Sequence, residues 1–121
     1  MGKWQNQVTD IENYQGFVYI ITNKLTKKKY IGKKFYWFKK GKKRVESDWK
    51  TYYGSSNKLN KDIKKYGKKS FTRVILHHCK SKAGCAYMEC KEQIEREVLF
   101  SDEYYNGMIR VRLPRFKKEN M

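Results

Sequence analysis

The first residues able to do chemistry are two phenols, Tyr19 and Tyr30, in the stretch GFVYIITNKLTKKKYIGKK at residues 16–34. Each sits in a short run of β-branched and aromatic residues, and a lysine-rich turn joins the runs, so strand pairing would hold the two rings rigidly side by side. Such a pair can serve as cross-strand packing or as reactive groups in a site. A second cluster follows in KKFYWFKKGKKRVESDWKTYYGSS, where aromatics at 35–38 precede a run at 39–44 that is basic except for Gly41. Aromatic faces beside dense positive charge can hold a nucleic-acid backbone and stack on bases. Alternate rings can equally fill a core while the lysines form a solvated loop, and phosphate contact by Lys39, Lys40, Lys42 and Lys43 is compatible with either. A third cluster is acidic: Glu89, Glu92, Glu95, Glu97, Asp102 and Glu103 lie close together in a very basic chain. Glu92 and Arg96 have the i,i+4 spacing of a helical surface pair, worth about 0.3 kcal/mol. The segment HHCKSKAGCAYMEC brings His77, His78, Cys79, Cys85 and Cys90 near one another but lacks the close CxxC pairs of most structural zinc sites.

The elements that must position these groups follow from pattern. Residues 16–22 read as a buried strand and 29–32 as its hairpin partner, across a loop longer than two residues. Ser55 or Ser56 can cap a helix whose apolar face is Leu59, Ile63 and Tyr66, with Gly67 as its stop. Residues 71–77 make a third strand. Ser81 opens a longer helix to about Leu99, with Ala83, Tyr87, Cys90, Ile94 and Val98 as its expected core face; about 100° per residue then puts Glu89, Glu92 and Arg96 on the opposite, open face. Residues 108–113, MIRVRL, have the pattern of a short strand, and residues 1–15 form an arm that can pack through Trp4, Ile11 and Tyr14. The order is α+β: a small sheet covered by helices.

Length and charge bound the function. The 121 residues allow one domain, and 29 Lys plus Arg against 12 Asp plus Glu give a formal charge of +17, so the expected partner is a polyanion, nucleic acid first. No basic amphipathic helix or acylation signal marks a membrane-surface protein, and no apolar run approaches the ~20 residues of a membrane span. An N-terminus without the apolar core of a signal peptide, and an odd number of cysteines, lead to the expectation of an intracellular, reducing, cytoplasmic setting.

Three motifs in order carry a family resemblance. GFVYIITNKLTKKKYIG resembles the double motif of GIY-YIG nucleases, GSSNKLNKDIKKYGKKSFTRVIL is similar to their helix and third strand, and KEQIEREVLFSDEYYNG resembles their glutamate helix and closing Tyr-Asn. The resemblance covers residues 16–107, a nuclease-like domain between the arm at 1–15 and a basic strand and tail at 108–121. It implies a three-stranded antiparallel sheet flanked by helices, and hydrolysis of DNA phosphodiesters with one divalent ion, Mg2+ or Mn2+, by a monomer or homodimer of the phage or homing-endonuclease type.

Residue by residue, the resemblance makes Tyr19 the general base, Tyr30 the group that orients water or phosphate, and Glu92 the metal ligand. A phenol of pKa ~10 needs nearby positive charge to act as a base at neutral pH. The arginine that clamps the phosphate maps to Arg44, with Lys34 or Lys50 as substitutes. The histidine of the pattern is missing, and Asp48, Trp49, Tyr52 or Tyr53 stands near its place. Lys33, Lys34 and Lys50 join the basic run as expected nucleic-acid contacts, while Gly32 and Asn106 are expected to be structural. The alternative is a non-catalytic basic nucleic-acid-binding protein on the same fold.

Overall fold

The computed structural model describes residues 3–121; Met1 and Gly2, the start of the expected arm, lie outside the described residues. Three antiparallel strands form the central sheet in the order β2–β1–β5: β1 is Gly16–Asn23, β2 Lys29–Phe35 and β5 Phe71–Cys79. As the middle strand, β1 is covered on both faces, which is why GFVYIIT is apolar almost throughout rather than alternating. Phe17, Tyr19 and Ile21 point into one core layer with Trp4, Tyr36, Trp49, Leu59, Ile63 and Ile75. Val18 and Ile20 point into the other, with Ile31, Cys79, Cys85 and Val98. Asn23 closes β1 with its side-chain oxygen, which accepts from the backbone of Leu25 and Thr26, and the turn to β2 is longer than two residues.

The helix of the first layer, α1 (Asn57–Tyr66), is capped as its sequence dictates: the Ser56 side chain accepts from Leu59 N at 3.3 Å, and Gly67 ends it at φ +87°. The arm belongs to this layer too. Trp4 is buried and its indole donates to Trp49 O at 2.7 Å, while Gln5 bonds to Arg73 O and Ile75 N along the outer edge of β5. That contact covers an edge which could otherwise recruit another strand.

Three expectations are corrected. The basic segment is a β-hairpin rather than a loop: β3 (Trp37–Lys40) pairs with β4 (Lys43–Glu46), and Gly41 at φ +66° supplies the turn residue that a side chain would disfavour. The second helix, α2, runs Lys82–Glu95 and stops before Leu99, because Glu97 adopts a left-handed conformation and Val98–Phe100 is a single 3-10 turn. Part of its expected core face is turned outward, although Val98, just past the helix, is buried in the second layer. Tyr87 and Ile94 are exposed, whereas Gly84, Cys85 and Gln93 are buried and Met88 packs on the second layer. The reason is polar: Gln93 donates to Ile31 O at 3.2 Å and Glu89 meets Lys33 on β2, so the helix presents hydrogen-bonding side chains to the sheet edge.

Residues 108–113 form no strand. The edge of β5 is engaged by Gln5 and the Lys29–Ile31 end of β2 by the segment at 103–106, beyond which MIRVRL makes no strand pairing. The chain instead lays Phe116 against Tyr87 on α2 and ends in a 3-10 turn, Lys118–Asn120, bonded to Ser81. Among the described residues no helix is long and apolar enough to cross a membrane.

Candidate active site

Cross-strand register places the two phenols. Tyr19 on β1 lies opposite Gly32 on β2, and Tyr30 opposite Ile21, so both rings project from the same sheet face with centroids 6.2 Å apart. Gly32 is required by this arrangement. A Cβ there would overlap the Tyr19 hydroxyl and stand 2.7 Å from its Cζ and 2.9 Å from Tyr30 Cε2. Gly54, at φ +89°, lets the following loop close over the same ring; a side chain would meet Leu59 Cδ2 at 2.9 Å. The loop itself is anchored by buried Arg73, which donates to Tyr52 O at 2.6 Å and Lys50 O at 3.1 Å and stacks on Trp4 and Tyr53.

The phenols border a cavity of about 370 Å3 at the outer edge of β2. Lys33, Lys34, Ser55 and Glu89 supply its polar wall; Phe35, Trp37 and Phe38 supply its aromatic wall. Glu89 Oε1 accepts from Lys33 Nζ at 3.1 Å, with the carboxylate mostly buried. Lys34 pairs with Asp48 at 2.7 Å and lies over the Tyr52 ring at 4.1 Å; the hydrogen bond from Lys34 holds the exposed Asp48 carboxyl below its ordinary range. Burial pushes the Tyr19 phenol well above the ordinary tyrosine value, reinforced by the adjacent Tyr52 and Tyr30 phenols and the Glu89 charge. Tyr30 is raised as well, by burial first, while a hydrogen bond with Ser55 works the other way. The free protein therefore holds both tyrosines as phenols at neutral pH.

Of the residues expected at a site, the fold brings together Tyr19, Tyr30, Lys33 and Lys34. Arg44 and Glu92 are elsewhere. Arg44 stacks on Trp37 at 4.1 Å and reaches the carbonyls of Glu12 and Tyr14, on the flank of the β3–β4 hairpin. Glu92 accepts from Arg96 Nε at 3.3 Å and does not line the cavity. Glu89, one turn earlier, does. Helical periodicity could not choose between these glutamates; only the rotation of α2 against the sheet does. Lys39, Lys40, Lys42 and Lys43 are exposed on the hairpin, and Lys50 lies beside the Trp49 ring at 5.7 Å.

Asn106 reproduces the pairing of a neighbouring strand. Its side-chain oxygen accepts from Ile31 N at 3.0 Å and its nitrogen donates to Ile31 O at 2.8 Å, pinning the edge of β2 one residue from Gly32. Among the described residues no three of His, Cys, Asp and Glu gather as a metal cluster. Cys79 and Cys85 are buried together, and their hydrogen bond, with burial, pushes the Cys85 thiol up. Glu89, paired with Lys33, is the carboxylate among the residues that line the cavity, beside the hydroxyls of Tyr19, Tyr30, Ser47 and Ser55. That carboxylate fits a magnesium-like cation, which keeps most of its waters and takes one or two carboxylates with substrate phosphate.

An α+β domain with a three-stranded antiparallel sheet flanked by helices belongs to a recognised class. A family model described as "Putative endonuclease segE, GIY-YIG domain" matches residues 3–109, and the chain belongs to that family. A relative from Enterobacteria phage T4, named "Putative endonuclease segE", is 38% identical over 90 residues, covering 74% of this chain and 39% of the relative. The chain thus spans about two fifths of the length of that relative. No solved structure matches it.

Proposed function

We propose that the chain is a metal-dependent DNA endonuclease domain that hydrolyses phosphodiesters in the cavity at the β2 edge, with Tyr19, Tyr30, Lys34 and Glu89 as its catalytic groups. What carries the reading is the convergence of two phenols, two ammonium groups and one carboxylate on one opening in a chain of this family. Glu89 takes the metal-holding role that the family resemblance implies for Glu92, and Mg2+ or Mn2+ is the ion its oxygens suit. When bound, the ion supplies charge neutralisation at the phosphate and the leaving oxygen.

The protein's own residues do the rest. Lys33, released from Glu89 as the carboxylate changes partner, and Lys34 bring positive charge to the non-bridging oxygens, the work expected of Arg44. Tyr19, once its phenol has given up its proton beside the lysine charge of the cavity, accepts a proton from the attacking water at its phenolate oxygen. Tyr30 orients the water or the phosphate through its own hydroxyl. The hairpin lysines and Lys50 engage the flanking backbone of DNA by charge.

The test is incubation of supercoiled plasmid with the protein and magnesium, in parallel with EDTA. Metal-dependent nicking is expected, slowed about 10²- to 10⁴-fold by Tyr19→Phe with DNA affinity unchanged. A mobility shift without nicking would instead identify a binding module.

A further inference from the structure

The four consecutive aromatics are not used alike. Tyr36 is fully buried, with its ring edge-on to Trp49 at 4.9 Å. Trp37 donates its indole N–H to the carbonyls of Ile11 and Tyr14 and carries Arg44 on its face. Phe35 packs on the second core layer. Phe38 alone of the four is left largely open, at 49% exposed, on the wall of the cavity that holds Tyr19, Tyr30 and Glu89. Among the described residues its ring makes no aromatic or cation contact.

The hairpin beneath it is built for a polyanion. Lys39 lies directly opposite Arg44 and Lys40 opposite Lys43, so both tip pairs set like charges face to face, an arrangement that destabilises a two-stranded ribbon until counter-charge arrives. Phe38 pairs with Val45 at the base of this ribbon, where the charged tip meets the cavity. A backbone held by the tip cations would therefore carry its bases past the open ring. In an intact duplex both faces of every interior base are covered by neighbours, so an aromatic ring gains a stacking partner without an unstacking cost where a base is unpaired.

We infer that Phe38 is a base-stacking residue beside the scissile phosphate, and that the favoured substrate is DNA carrying an unpaired base at the cleavage point, such as a bubble, flap or junction. The inference rests on the nuclease reading for its phosphate, but its test does not depend on cleavage. The protein in EDTA is titrated against a fully paired duplex and against the same duplex with a short bubble containing 2-aminopurine. The wild type binds the bubble more tightly and quenches the 2-aminopurine.

Phe38→Ala weakens bubble binding about 5- to 100-fold and leaves duplex binding unchanged. Phe38→Trp restores both affinity and quenching, while Phe38→Leu, which keeps apolar bulk without a π-face, does not. Equal wild-type affinity for the two DNAs, a bubble preference that survives in Phe38→Ala, or full restoration by leucine overturns the inference. Plasmid nicking by the same preparation separates the two readings. Nicking without a bubble preference removes the role of Phe38 and leaves the nuclease standing; bubble preference with quenching but no nicking supports Phe38 and removes the nuclease.

Discussion

Replacing Glu89 and Glu92 separately by glutamine distinguishes the cavity carboxylate from its neighbour on α2. Both make one ion pair of similar length, Glu89 with Lys33 at 3.1 Å and Glu92 with Arg96 at 3.3 Å, and in each the basic partner is about one third exposed. Partly solvated pairs of this kind are worth less than about 1 kcal/mol, so neither substitution should lower the melting temperature by more than a few degrees. Activity should split them. Losing the charge that holds a catalytic cation removes several kcal/mol of transition-state stabilisation, and at about 1.4 kcal/mol per decade this is roughly a 10³-fold loss of nicking for Glu89→Gln. Glu92→Gln, like the exposed control Glu95→Gln, should stay within about twofold of wild type, since neither lines the cavity. Plasmid nicking with magnesium reads the rate, and electron paramagnetic resonance of Mn2+ reads ion binding directly. DNA affinity in EDTA should hold or tighten for Glu89→Gln, because one carboxylate no longer opposes the phosphates. A rate and Mn2+ binding lost only in Glu92→Gln would refute the assignment drawn from the rotation of α2.

Gly32→Ala should cost about 1–3 kcal/mol by overpacking against Tyr19 and Tyr30 and abolish most nicking, whereas Gly107→Ala, with nothing within 4 Å of the added Cβ, should be neutral; equal melting temperatures would refute the close approach. Because burial and neighbouring phenols raise Tyr19, kcat/KM should climb about tenfold per pH unit from pH 6 to 9, and a plateau below pH 8 would assign the base elsewhere. The same shift favours the neutral phenol in the fold, so its stabilising contribution is complete below about pH 10 and falls as pH rises further, visible as a declining melting temperature in alkali. Replacing the basic residues at 39–44 by glutamine should flatten log K against log salt by roughly 3 to 4 units, and an unchanged slope would take the hairpin out of the interface.

The parts of the fold that were legible are those whose cause is local. GFVYIIT could only be a buried strand, Ser56 and Gly67 bracket α1 by capping chemistry, and the two tyrosines meet because a hairpin fixes its own register. The parts that were not legible depend on what lies across the molecule. Helix α2 has two candidate inner faces, and the apolar count favours Tyr87 and Ile94; the face used is chosen by Gln93 and Glu89, whose partners on β2 are more than fifty residues away in sequence. MIRVRL has the alternation of a strand but makes no strand pairing, and pairing is a property of the assembled sheet. The hairpin reads as a loop in the sequence because the lysines and arginine flanking Gly41 have low strand propensity.

In the proposed reaction, the position of the cavity is what gives a residue as buried as Tyr19 access to a substrate. Its ring is only 1% exposed and belongs to the first core layer, packed by Trp4 and Tyr52. A phenol so placed is normally a packing residue with an inconvenient hydroxyl. Here the residue opposite is a glycine, and the missing side chain opens a path from the hydroxyl to the edge of β2. The edge must then stay open without fraying. It is held on one side of Gly32 by Asn106 and Gln93, both bonded to Ile31, and on the other by Ser47, whose hydroxyl donates to Phe35 O at 2.6 Å. Between these clamps Lys33 and Lys34 point to opposite faces of the strand, one to Glu89 and one to Asp48, so a phosphate arriving at the edge meets positive charge from both sides. Burial fixes the direction of the Tyr19 hydroxyl and raises its proton affinity; the edge lysines supply the charge that a phenolate needs. Precision and reactivity thus come from different strands, and Gly32 is where the two meet.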